Sequence, residues 1–187
     1  SDVCSSDLQH IFSTFLIIIF NGNYGFTQTM VHGNTGSNFS AIEATEFLAH
    51  HNMARNELNI APLEWNNNIA GYAQEWAEFL ANRKKCRLIH RSEINKNRLE
   101  LGENLYWFSS SDHFNVVQAS VGWYEEKAFY KHQPFSYRMA DHAGHYTQMI
   151  WSGTTEMGAG KATCPSGAVI VVANYNPMGN TLGQFVY

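Results

Sequence analysis

Apolar positions in this chain recur at helical spacing in three stretches and gather into short runs in two others. Ser40 and Glu43 form a capping box, and Phe47, Leu48, His51, Arg55 and Leu58 then fall on one face of a first helix. Pro62 ends that region. Asn66 is placed to cap a second helix whose face runs Ile69, Tyr72, Ala73, Trp76 and Leu80. Ser111 or Asp112 is placed to cap a third, carrying Val117, Val121, Tyr124 and Ala128, followed by a polar, aromatic loop from Lys131 to Asp141. Gly144 to Trp151 sets His145, Thr147 and Gln148 ahead of Met149, Ile150 and Trp151, a pattern that a short amphipathic helix divides between a polar cleft and a core. The runs Met157–Cys164 and Ala168–Tyr175, separated by Pro165-Ser166-Gly167, read as a hairpin. Helices with a short antiparallel sheet make an α+β domain, with layers stacked around one core.

The N-terminal part has a different character. Ser1 to Leu8 shows no period, and Ile11 to Phe20 is an apolar run too short for a bilayer span of roughly 20 residues but suited to a signal-peptide core; a buried strand is the competing reading. Met30 to Ser40, rich in Gly, Asn and Ser, reads as a flexible lead-in, and Asn38-Phe39-Ser40 fits a glycosylation acceptor. The expected organisation is a leader over 1–39 and a folded domain over 40–187.

Charge narrows the function. A formal net charge of -4 provides no basic face to neutralise phosphates, which excludes a nucleic-acid surface. The cluster Arg83, Lys84, Lys85 and Arg87 is explained by solvation and by complementing the C-terminal dipole of the second helix, with a lipid-headgroup or heparin role as the alternative. Membrane contact is then at most peripheral. Outside the leader, which holds Cys4, the two cysteines Cys86 and Cys164 are consistent with one disulfide in an oxidising compartment. Neither His-Glu-x-x-His nor Gly-x-Ser-x-Gly occurs, and Gly158-Ala159-Gly160 lacks the spacing of a dinucleotide loop.

Four motifs in order carry a family resemblance: His51-Asn52-x-x-Arg55, Gly102-Glu103-Asn104-Leu105, Gly144-His145-Tyr146-Thr147-Gln148-Met149-Ile150-Trp151, and Asn174-Tyr175-Asn176-Pro177-Met178-Gly179-Asn180. Over about Ala41 to Tyr187 the chain resembles the CAP superfamily of cysteine-rich secretory, antigen 5 and plant pathogenesis-related proteins. The resemblance implies a secreted, extracellular protein with a three-layer α-β-α sandwich, a small antiparallel sheet and a central cleft. It also implies that His51, Glu103, Glu126 and His145 line that cleft, Glu126 coming from Trp123-x-x-Glu126. A Cys86–Cys164 disulfide is implied as well; closing that loop contributes up to about 4 kcal/mol. Ala159 and Ala173 stand where plant relatives carry a further bonded cysteine pair.

Two imidazoles and two carboxylates suit a divalent metal, zinc being the natural candidate, or a purely structural network of imidazolium–carboxylate pairs. His113 and His142 are expected to be exposed. Three functions compete: a non-enzymatic binding protein for sterols or other lipids in defence or host interaction, a metal-dependent or serine hydrolase, and a scaffold for a protein partner. The absence of a hydrolase motif favours the binding protein.

Overall fold

The computed structural model describes residues 29–95 and 99–187, so the apolar run Ile11–Phe20 lies outside the described residues. Helix α1 spans Ala41–Asn56, β1 Glu64–Trp65, α2 Asn67–Arg83, α3 Arg91–Ile94, β2 Gly102–Phe108, α4 Val117–Glu125, α5 Tyr137–Met149, β3 Glu156–Thr163 and β4 Val169–Asn176. The Ser40–Glu43 capping box and the Asn66 cap both form as expected, with Ser40 accepting from Glu43 N–H and Asn66 from Asn68 and Ile69 N–H.

The four strands run in the order β1-β3-β4-β2. The expected β3–β4 hairpin is present, and β2 adds antiparallel to the far side of β4. The sheet is not wholly antiparallel, however. Glu64 and Trp65 pair in parallel with Glu156 and Met157, because the helical chain between β1 and β3 supplies the long crossover that a parallel pair needs.

Alternation along the strands feeds two cores. Ala159, Val171, Ala173 and Tyr175 pack with α1, α4 and α5, while Leu105, Ile170 and Val172 pack with α2, which gives the α-β-α sandwich. Gly158 and Gly160 let α2 lie directly on β3: a Cβ on either would fall 2.2 Å from Ala70 N or 2.5 Å from Gln74 Cα. Cys86 and Cys164 form the disulfide, tying the loop after α2 to the end of β3. Ala159 and Ala173, both fully buried, are direct cross-strand partners, so this sheet relies on packing at that point.

Two expectations shift. The stretch before Ser40 is packed rather than loose: Val31 N–H donates to Thr45 Oγ1 at 2.9 Å, Trp65 Nε1 donates to Thr35 O at 3.0 Å, and Phe39 is buried in the core. The third helix starts at Val117, where Asn115 Oδ1 accepts from Val117 N–H at 2.8 Å, and not near Ser111 or Asp112. Val121 consequently faces solvent, and Trp123 fills the core instead.

Arg55 links these layers. Its side chain is fully buried, and it donates to Ala61 O, Met149 O, Trp151 O and Thr154 O at 2.6–3.1 Å. Burial holds its pKa down at about 10, so the guanidinium stays charged at neutral pH. Asn52, one turn earlier, clips Leu63 at both its N–H and its C=O. Replacing Arg55 with Met is expected to leave the carbonyls of Met149 and Thr154 without their buried donor, to remove one of the two donors to Trp151 O, and to cost about 3–5 kcal/mol in urea unfolding. A loss below about 1 kcal/mol would contradict this role.

Candidate functional site

Strand β2 decides where the expected cleft residues go. Successive side chains alternate between faces, so Glu103 points with Leu105 toward the α2 side and Asn104 with Tyr106 toward the α4/α5 side. The four residues therefore do not meet as one cluster.

On the α2 side, Glu103 Oε1 accepts from His90 Nδ1 and from Arg91 N–H, each at 2.9 Å, and Oε2 lies 3.4 Å from Asn174 Nδ2. The Glu103 carboxylate is thus paired. Its hydrogen bond raises the His90 pKa above the ordinary imidazole value, burial acting in the opposite direction. Tyr72, His90, Glu103, Gln148, Asn174 and Asn180 line a cavity of about 210 Å³ here. Gly102 lies at its edge, where a Cβ would sit 2.2 Å from Gln148 Oε1 and displace that side chain.

On the other side, His145 Nδ1 donates to Glu126 Oε1 at 2.6 Å, and the imidazole stacks on Trp123 with ring centroids 6.0 Å apart. Helix α5 begins earlier than expected, at Tyr137, and is kinked at Ala143 (φ -142°, ψ 19°). The kink frees backbone N–H groups at the start of its second half, and Glu126 Oε2 accepts from His145 N–H at 2.9 Å and Tyr146 N–H at 3.1 Å. Glu126 therefore acts as a carboxylate cap on that half-helix as well as a partner for the imidazole. Across the strand, Asn104 Nδ2 donates to His145 O at 3.0 Å and to the Tyr175 hydroxyl at 3.2 Å.

His51 is not part of either pair. It is fully buried under β4: Nδ1 donates to Phe47 O at 2.8 Å, which fixes the tautomer, and Nε2 accepts from the Tyr175 hydroxyl at 2.9 Å. With both ring nitrogens engaged it has no lone pair to offer a metal. The imidazole that does face Glu103 is His90, which lies outside the set that the resemblance implies. The resemblance assigns the cleft imidazole to His51, from His51-Asn52-x-x-Arg55, and not to His90. His113 and His142 are exposed, as expected.

The donor chemistry fits a cation in one respect. Each carboxylate holds Nδ1 of its histidine and leaves Nε2 as the coordinating atom, the arrangement that metal-bound imidazoles use. In another respect it falls short: among the described residues, no three His, Cys, Asp or Glu side chains converge on one point.

The sequence and fold match known proteins. Residues 48–175 match the model of the cysteine-rich secretory protein family. The chain is 34% identical over 142 residues to pathogenesis-related protein 1C of Nicotiana tabacum, covering 76% of this chain and 79% of that one. It is likewise 34% identical over 142 residues to pathogenesis-related protein 1 of Arabidopsis thaliana, covering 76% and 81%. Among solved structures, NaASP2 with Zn2+ superposes with a TM-score of 0.65 at 24% identity, covering 78% of this chain and 85% of that one. BmVAL-1 gives 0.67 at 23% identity, covering 83% and 86%.

Burial of His51 has a pH consequence. Desolvation pushes its pKa down to about 3, far below the value of an unfolded chain. Between about pH 6.5 and 3 the unfolded chain takes up a proton that the folded chain refuses, so stability falls as pH falls. Relative to His51→Gln, the native protein is expected to show an extra slope of about 1.4 kcal/mol per pH unit between pH 6 and 4 in denaturant midpoints. Parallel slopes for the two proteins would rule out a buried neutral His51.

Proposed function

The chain belongs to the cysteine-rich secretory protein family, and from that membership we propose that it is a secreted, non-enzymatic binding protein of the defence type. The observation that carries this reading is how its imidazoles are engaged. His90 and His145 each direct Nδ1 to a carboxylate, and among the described residues neither ring is hydrogen-bonded to a serine, threonine or cysteine that it would activate as a nucleophile. Cys86 and Cys164 are held in a disulfide, which supports an oxidising, extracellular setting.

Zinc enters this reading as a weak ligand of His90 on one side and, separately, of His145 on the other, each through Nε2, with Glu103 and Glu126 orienting the rings. A single imidazole at each place, without further converging ligands among the described residues, favours modest affinity. One set of measurements tests both parts. Purified protein is expected to give no turnover of peptide or ester substrates beyond that of a His145→Ala variant; turnover abolished by that substitution would establish a hydrolase instead. Zinc calorimetry is expected to give a binding free energy well short of about 10 kcal/mol, lost in His90→Ala/His145→Ala and kept in His51→Gln. Tight binding that depends on His51 would reverse the assignment.

A lipid ligand is favoured by a second observation. Ala128, Phe129, Lys131, Arg138, Met139 and His142 line a groove of about 520 Å³, and Phe129 is 68% exposed. Apolar surface beside two cations suits an amphipathic molecule, its body against Phe129 and Met139 and its head toward Lys131 and Arg138. Binding to cholesterol-containing phosphatidylcholine vesicles is expected to weaken about tenfold or more in Phe129→Asp, as losing the burial of one phenyl ring implies. Equal sedimentation of both proteins with the vesicles would remove this groove from the function.

A further inference from the structure

The basic cluster after α2 extends past the reach of the helix dipole. Only Arg83 lies in the last turn of α2; Lys84 is the C-cap, and Lys85 and Arg87 lie beyond it. Lys85 and Cys86 are left-handed, with φ of 53° and 62°, and turn the chain off the helix axis. That turn is fixed. Lys84 and Cys86 N–H donate to Leu80 O at 3.2 and 3.1 Å, Arg87 N–H donates to Lys84 O at 3.1 Å, and the disulfide holds Cys86 to Cys164. Lys84 Nζ lies over the Phe79 ring, 5.4 Å from its centroid, while Arg83, Lys85 and Arg87 are exposed. None of the four cations is in an ion pair among the described residues.

The surroundings of this turn carry little opposing charge. The net charge of -4 is unevenly spread: no acidic residue occurs between Glu78 and Glu93 or after Glu156. Glu78 accepts from Gln74 Nε2, and Glu93 caps α3 at His90 N–H. Among the loops at this end, only the one leaving β2 has an acid, Asp112. Strand β2 brings aromatic surface to the same end, since Phe108 pairs with Val169, which pairs in turn with Thr163 beside Cys164. Trp107 faces the α2 side with Leu105, and its cross-strand partner Ile170 packs in one core with Cys86 and Ile89. Trp107 is 47% exposed and Leu88 46%, so apolar surface borders the basic turn.

We propose that this end of the α2 side binds an acidic polysaccharide, a chain of sugar rings with repeated carboxylate or sulfate groups. Arg83, Lys84, Lys85 and Arg87 meet the anionic groups, the arginines by bidentate pairing, and Trp107 takes the C–H face of a ring. A polyanion rewards several cations on a rigid turn, because each pairing releases counterions and no loop has to be ordered. An acidic membrane would meet the same charges, but the negative surface potential of membranes belongs to the cytoplasmic leaflet. The Cys86–Cys164 disulfide beneath the turn supports an extracellular setting instead. The proposal rests on the secreted reading above and uses neither the zinc-facing histidines nor the groove beside Phe129.

The test is calorimetric titration of the full chain with an oligogalacturonate, a heparin oligosaccharide and a neutral dextran oligosaccharide of matched length. At least one acidic oligosaccharide is expected to bind saturably, the two together telling carboxylate from sulfate, and the dextran is expected not to bind. Raising salt from about 50 to about 200 mM is expected to weaken binding about tenfold or more. Arg83→Gln/Arg87→Gln is expected to weaken it about tenfold, and Trp107→Ala several-fold, with urea midpoints reporting intact folds. Ile42→Glu/Val121→Glu lowers the net charge equally at exposed positions on α1 and α4 and is expected to bind as the native protein does. The proposal is overturned if neither acidic oligosaccharide binds, if the two double variants lose affinity equally, or if Trp107→Ala loses none. It is overturned also if the protein sediments through these arginines with phosphatidylserine vesicles alone. Such a failure leaves the zinc and turnover measurements as they stand. Free Cys86 and Cys164 thiols in protein from its native source would count against the secreted reading and leave the titration as it stands.

Discussion

The buried guanidinium of Arg55 is the constraint on which this architecture depends. A permanent charge removed from water must be met by fixed acceptors, and four backbone carbonyls from three segments supply them. Met149 O comes from the last turn of α5 and Trp151 O from two residues beyond it, where orphan carbonyls need donors. One side chain therefore ends α5, fixes the turn into β3 and holds the loop after α1, while Asn52 clips Leu63 one turn away. In the motif His51-Asn52-x-x-Arg55 all three named residues are structural: the histidine closes onto Tyr175, the asparagine onto a loop and the arginine onto α5.

The polar site is organised by the pleat of β2. Glu103 and Asn104 are adjacent in sequence and opposite in space, so one carboxylate serves the α2 side while its neighbour's amide reaches the backbone of His145 and the hydroxyl of Tyr175. The chain His51–Tyr175–Asn104–His145 joins the core to α5, and the kink at Ala143 gives Glu126 two backbone donors to hold beside its imidazole. Glu103 and Glu126 thus each hold backbone N–H groups as well as an imidazole.

Where sheet and helix meet, glycine and alanine replace covalent ties. Gly158 and Gly160 bring α2 onto β3, and Ala159 faces Ala173 across the hairpin at zero exposure. The disulfide sits instead at the periphery, between the loop after α2 and the end of β3. The exposed surfaces left by this arrangement, a polar cavity on the α2 side and an apolar groove beside Phe129, lie on different parts of the molecule and suit ligands of different chemistry.

The sequence by itself determined what depends on local periodicity and short-range chemistry. It determined α1 with its capping box, α2 with its Asn66 cap, the β3–β4 hairpin, the α-β-α class through four ordered motifs, and Glu103, Glu126 and His145 as polar groups needing partners. Tertiary structure decided what depends on which side of a sheet a residue faces and how deep it lies. It put His51 in the core and His90 beside Glu103, because an imidazole on an apolar helix face and one in a loop look alike until burial is known. It also made β1 a parallel edge strand and packed residues 31–39 against α1, since two-residue strands and irregular segments carry no period and are held by contacts distant in sequence.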